Sequence, residues 1–162
     1  MQQSMADMEY GNRKRKTKRD IFLQAMDDMI PWEKIIETVR PHYPPGNRGR
    51  PPRGLETMLR MYQLQSWYGL SDKGAEDAVY DSYAFRKFMK VDFVGADQVP
   101  DATTLGKFRR MMKDSGIAWQ FSDALKGVLS EQGKMMHSGS IIDAALTDLP
   151  SSTVKKGKGC AG

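Results

Sequence analysis

LETMLRMYQLQSWYGLSDKGAEDAVYDSYAFRKFM, residues Leu55 to Met89, reads as three closely spaced helices, and the rest of the 162-residue chain is placed relative to it. Leu55, Met58, Leu59 and Tyr62 recur at three and four residues, and Met61, Leu64 and Tyr68 widen the stripe. That spacing predicts a helix with a broad apolar face, ended by Gly69. Ser71 suits the cap of a second helix, with Asp72 in its positive first turn and Ala75, Ala78 and Val79 as a thin apolar side. Asp81 or Ser82 restarts the chain into a third, carrying Tyr83, Phe85, Phe88 and Met89. Short links between compact helices are how a helix-turn-helix unit sets one helix across the next. A plain three-helix core has the same pattern.

Working outward, residues 1 to 19 are polar and charged and predict a basic flexible arm, either one that orders on DNA or a solubilising leader. Asp20 opens a helix with Phe22, Ala25, Met26 and Met29 on one side. Pro31 suits the first turn of the next, which carries Trp32, Ile35, Ile36 and Val39. The stretch PHYPPGNRGRPPRG, from Pro41 to Gly54, is too rich in proline and glycine to be helical and is a surface loop. Within it Arg48-Gly49-Arg50-Pro51 can lay two guanidinium groups along a narrow A·T-rich minor groove, or form a basic turn into the next helix. After a connector, Asp101 caps a helix from Ala102 to Lys113, and Ile117, Phe121, Ala124, Leu125, Val128 and Leu129 stripe a last one that ends near Gly133. The segment Ser140 to Thr147 reads as a strand with Asp143 in its apolar run. A carboxylate there needs a cation, a donor or a metal, or else sits at an edge. From Pro150 on, the chain is a polar, basic tail.

The formal charge is +5 and the isoelectric point about 9.3. The cations are bunched: Arg13, Lys14, Arg15, Lys16, Lys18 and Arg19; Arg48, Arg50 and Arg53; Lys107, Arg109, Arg110 and Lys113. Such clusters favour a polyanion such as DNA, because neutralising phosphates releases counterions; solvated basic faces are the plainer reading. Cys160 is the sole cysteine, so no intrachain disulfide forms, and with only His42 and His137 beside it a structural zinc site is unsupported. No stretch approaches the roughly 20 apolar residues that cross a bilayer, and MQQSMADMEYGNRKRK lacks the core of a secretory signal. The expected setting is the bacterial cytoplasm at the nucleoid, away from membranes.

GRPPRGLETMLRMYQLQSWYGLSDKGAEDAVYDSYAFRKFM, then VPDATTLGKFRRMM, then IIDAALTDLPSST resemble, in order and spacing over about residues 49 to 153, the front part of bacterial transposases of the insertion sequence 5 family. The resemblance implies an all-helical domain that engages terminal inverted repeats, followed by a ribonuclease-H-like catalytic domain. Asp143, in Ile141-Ile142-Asp143-Ala144, matches the first acid of that family's Asp-Asp-Glu triad. The family's Pro-Asp-Glu-Thr-Thr turn stands here as Pro100-Asp101-Ala102-Thr103-Thr104, without its middle acid. Two magnesium ions about 3.5 to 4 Å apart must hold the attacking and leaving oxygens in line, which one aspartate cannot do. The second aspartate and the glutamate do not occur before Gly162. The expectation is therefore a truncated transposase, inactive alone.

The fold expected is mainly α: a helical bundle with a helix-turn-helix-like DNA-binding unit over residues 20 to 137, then the first strand of a truncated ribonuclease-H-like domain over 138 to 150, and a disordered basic tail over 151 to 162. That strand is expected to be an unpaired edge, frayed, packed back on the helices or borrowed by another chain. DNA contacts are expected from Arg13, Lys14, Arg15 and Lys16, from Arg48, Arg50 and Arg53, from Lys73, Arg86 and Lys87 on the second and third central helices, and from Lys107 and Arg110. Asp143 is the expected catalytic acid and magnesium ligand, in company with missing partners. The expected partners are double-stranded DNA and a second copy or a full-length transposase. The alternatives are a helical dimerisation or inhibitor fragment, an enzyme completed by a second polypeptide, and a remnant without a role.

Overall fold

The computed structural model describes residues 5–46, 53–92, 98–137 and 140–143, with the backbone alone in the last two strands. The elements are α1 (Met5–Gly11), α2 (Lys18–Met29), α3 (Trp32–Val39), a 3-10 turn (Arg40–His42), α4 (Leu55–Tyr68), α5 (Asp72–Asp81), α6 (Tyr83–Met89), α7 (Ala102–Asp114), α8 (Ile117–Glu131), β1 (Lys134–His137) and β2 (Ser140–Asp143). The molecule is thus mainly helical.

The boundaries follow local chemistry. Gly69 takes a left-handed conformation, φ 60°, and closes α4; Gly116, φ 74°, separates α7 from α8. Ser71, Ser82 and Asp101 each accept a backbone N–H of the helix they precede, from Gly74, Phe85 and Thr104 respectively. Thr17 and Asp20 form a reciprocal capping box at the start of α2.

α4 is the hub. Nine of its side chains are buried, Leu55, Met58, Leu59, Arg60, Met61, Gln63, Leu64, Gln65 and Trp67, a pattern that runs round the helix rather than down one stripe. It packs on α3, α5, α6 and α7, while α2 lies on α6 and α8 on α7. Phe22, Trp67, Phe88 and Trp32 stack edge to face through the centre, with ring centroids 5.3 to 5.8 Å apart.

Two expectations change. The polar segment before Asp20 is not without regular structure: α1 forms within it, and α2 starts at Lys18 because Thr17 caps it. The strand around Asp143 is not unpaired. It is antiparallel to β1, with Lys134 opposite Asp143 and His137 opposite Ser140. Four residues, KMMH, are too few to show a period, so β1 was invisible in a stretch expected to complete the helical domain. α8 meets β1 and α2 meets β2. Residues 144–150, the expected remainder of the strand, and the tail from 151 lie outside the described residues, as does the loop with Arg48 and Arg50.

Candidate nucleic-acid interface

The N-terminal cations and those of α6 are about 70 residues apart in sequence, and the fold brings them to one place. A cleft of about 900 Å³ opens between α1, the start of α2 and the α5–α6 corner. Arg13, Lys18, Arg19 and Arg86 line it against two carboxylates, Asp20 and Asp81. Asp20 is occupied by its capping bonds to Thr17, at 3.0 and 2.8 Å. A neighbouring depression of about 320 Å³ shares Tyr10, Asp20 and Ala84 with the cleft and adds Lys16 and Lys87.

Aromatic rings hold these cations in place. Arg13 lies 4.8 Å from the centre of the Tyr10 ring, Arg19 lies 5.3 Å from Tyr68 and 4.6 Å from Phe85, and Arg86 lies 5.8 Å from Tyr83. Arg86 also donates to the Tyr80 carbonyl at 2.6 Å. Burial pushes the Tyr68 hydroxyl above its ordinary pKa, and the neighbouring Arg19 charge partly offsets this. Lys14 and Arg15 are exposed on the same segment.

The other expected contacts stand elsewhere. Lys73, on α5, pairs with Glu76 at 3.3 Å and Asp77 at 3.7 Å. α5 carries four acids, Asp72, Glu76, Asp77 and Asp81, of which Glu76 and Asp77 neutralise this lysine. Arg53 donates to Gln98 at 3.0 Å, while its carbonyl accepts from the Tyr43 hydroxyl at 2.6 Å. Lys107 and Arg110 are exposed on α7 and line neither cleft. Between them Arg109 grips Asp72 with two hydrogen bonds, 3.3 and 2.9 Å, and so ties α7 to α5. Its contacts, with the Gln65 amide at 2.6 Å, hold the Asp72 carboxyl below the usual range. The side chain of Asp143 and the residues Arg48 and Arg50 lie outside what is described.

A family model described as a transposase domain (DUF772) matches residues 11–111, from the last residue of α1 to within α7. The chain belongs to that transposase-domain family. No solved structure matches it. The matched span of the transposase domain holds Arg13, Lys18, Arg19 and Arg86, while α8 and the hairpin lie beyond it.

Sequence reasoning passed over two kinds of residue in this transposase domain. Tyr10 and Tyr83 line the basic cleft ring against ring, yet Tyr10 stands in a polar leader with no periodic signal and Tyr83 reads only as an apolar residue of the third central helix. Arg60 is fully buried in α4, and a single cation four residues after Glu56 reads as an ordinary surface pair. No described helix of the domain is long and apolar enough to cross a membrane. Among the described residues no group of three or more His, Cys, Asp or Glu could hold a metal ion, so these residues supply no donor set for magnesium.

Proposed function

We propose that this transposase domain binds double-stranded DNA for DNA transposition, in the manner of the insertion sequence 5 family it resembles, with the terminal inverted repeats of an insertion sequence as target. The observation that carries the reading is the convergence of Arg13, Lys18 and Arg19 with Arg86 on one cleft, with Lys16 and Lys87 beside it, inside the span that matches the family. Phosphate contacts from such a surface fix register on the duplex without reading sequence. Base reading falls to α6, the short helix that presents Arg86 and Lys87 in its last turn, in a helix-turn-helix-like arrangement with α5 behind it. The loop with Arg48, Arg50 and Arg53 and the α7 face with Lys107 and Arg110 extend the contact. Lys73 contributes least, because Glu76 and Asp77 already neutralise it.

Fluorescence anisotropy on a labelled duplex tests this. With four to six phosphates neutralised, affinity drops about 10² to 10³-fold between 50 and 200 mM salt. Binding indifferent to salt, or absent in dilute buffer, sinks the proposal. Asp143 as first acid of a catalytic triad rests on the resemblance alone. Magnesium-dependent nicking of inverted-repeat DNA, abolished by Asp143→Asn, supports that role and overturns the expectation that the chain is inactive alone.

A second reading, self-association, is favoured by Trp119, which stands 73% exposed on α8 on the side away from the buried Ile117 and Phe121. Light scattering checks it: a dimer that Trp119→Ser converts to monomer supports the contact, and a monomeric wild-type protein at 100 μM, on the order of weak-interface affinities, removes it.

A further inference from the structure

The cleft holds more aromatic surface than phosphate contact requires. Tyr10 and Tyr83 lie ring against ring, with centroids 4.2 Å apart and planes tilted by 33°. Tyr68 and Phe85 form a second pair, 5.0 Å apart, on the same wall. The Tyr10 hydroxyl is buried and meets no hydrogen-bond partner among the described residues. The space, about 900 Å³, falls in the range of pockets that enclose a small organic molecule, and one nucleotide is of that size. Cations beside half-buried aromatic rings on the wall of an open cleft are an arrangement that binds unpaired strands. The phosphate goes to the cation and the base stacks on the ring, a face that a duplex keeps hidden in its own stack.

We infer that this cleft takes an unpaired nucleotide of DNA, its base stacked on the Tyr10–Tyr83 pair and its phosphates on Arg13, Lys18 and Arg86. The inference rests on the DNA-binding reading and adds the form of DNA preferred: a duplex with a frayed or overhanging end. Arg13 over Tyr10, and Arg86 over Tyr83, place positive charge at both rings of the pair, where the flanking phosphates of the stacked base would lie.

The test uses the full chain with three labelled probes: a blunt duplex, the same duplex with a four-nucleotide overhang, and the overhang duplex with 2-aminopurine at its first unpaired position. The overhang is expected to bind on the order of tenfold more tightly, the effect of stacking one base. The 2-aminopurine emission is expected to change on binding, and the same analogue placed within the paired region to stay constant. Tyr10→Leu and Tyr83→Leu keep apolar bulk and bring overhang affinity down to the blunt level, whereas Tyr10→Phe retains most of the preference. Thermal melting by circular dichroism confirms that the variants fold, and the 2-aminopurine signal of the wild-type protein decides the question if they do not. Equal binding of blunt and overhang duplexes, or unmoved 2-aminopurine emission, overturns the inference and leaves duplex binding standing. A preference that survives both leucine variants places the unpaired nucleotide elsewhere and overturns it too. No binding to any probe overturns both this inference and the reading beneath it.

Discussion

Arg60 has 1% of its side chain exposed, and three groups hold its charge: Asp27 at 2.7 Å, Glu56 at 2.9 Å and the Phe88 carbonyl at 2.7 Å. Its guanidinium lies 4.2 Å from the centre of the Trp32 ring and 5.1 Å from that of Phe88, so α2, α3, α4 and α6 meet on one side chain. Asp27 also accepts the Trp32 indole N–H at 3.0 Å. Arg60→Met, similar in length, removes the charge, leaves the Phe88 carbonyl without this donor and leaves Asp27 with the Trp32 indole but no cation. Both carboxylates keep some access to water, which softens the loss, and the expected cost is about 2 to 4 kcal/mol. Urea unfolding measures it, and a cost under about 1 kcal/mol would mean that the cation is dispensable. The same cluster sets a response to acid. Burial pushes the Glu56 carboxyl up, but the hydrogen bonds from Lys90 and Arg60 outweigh it and hold its pKa below 4.5. A carboxyl lowered by folding stabilises the protein above its unfolded pKa, and that contribution is lost as pH falls through the folded value. The urea midpoint is therefore expected to fall below about pH 4.5, and less steeply in Glu56→Gln than in the wild-type protein. Identical profiles for the two would separate Glu56 from the acid response.

α7 shows how one element is fixed at its start by two carboxylates from different origins. Asp101 accepts the Thr104 N–H at 2.7 Å from within the helix's own cap, while Glu76, from α5, accepts the Ala102 N–H at 2.9 Å. Both face the positive end of the helix. Asp101→Ala is expected to cost about 1 kcal/mol, the usual value of such a cap, and Glu76→Ala a similar amount through the contact between helices. Combining them is expected to cost more than the sum, since either acid alone still neutralises the helix end; thermal melts of the four proteins form the cycle, and strict additivity would show two independent bonds. A tight approach further along makes the same junction sensitive. A Cβ at Gly106 would sit 3.1 Å from the Asp72 carboxylate, which Gln65 and Arg109 already hold. The first of these acids was legible from the Asp101 cap pattern in the sequence, whereas the second was not. Glu76 sits in mid-helix on α5, and only the packing of α5 on α7 brings it to Ala102.

At the scale of the described fold, Arg13, Lys18, Arg19 and Arg86 gather at the cleft beside Asp20 and Asp81, while Lys107 and Arg110 stand exposed on α7 and the α5 acids Asp72, Glu76 and Asp77 pair with Arg109 and Lys73. Two charge-reversal variants therefore separate the surfaces: Lys18→Glu with Arg86→Glu is expected to weaken duplex binding by at least 10²-fold at low salt, and Lys107→Glu with Arg110→Glu by less. Equal losses would spread the interface evenly over both faces. The helices themselves were readable along the chain. Gly69, Ser71, Asp101 and Gly116 mark ends through bonds and conformations that reach no further than four residues, and apolar spacing records which side of each helix is buried. Nothing so local says that Tyr10 meets Tyr83, that Arg60 is enclosed by α2, α3 and α6, or that KMMH pairs with the segment ending at Asp143. Those contacts join residues up to 73 positions apart, the separation of Tyr10 and Tyr83. The sequence alone determined the ends of the helices that glycines and capping residues mark, and one apolar side of each, because those are short-range interactions; α1 and the burial that runs round α4 were not legible there. Which cations share a surface, and which one lies in the core, was decided by how the helices pack.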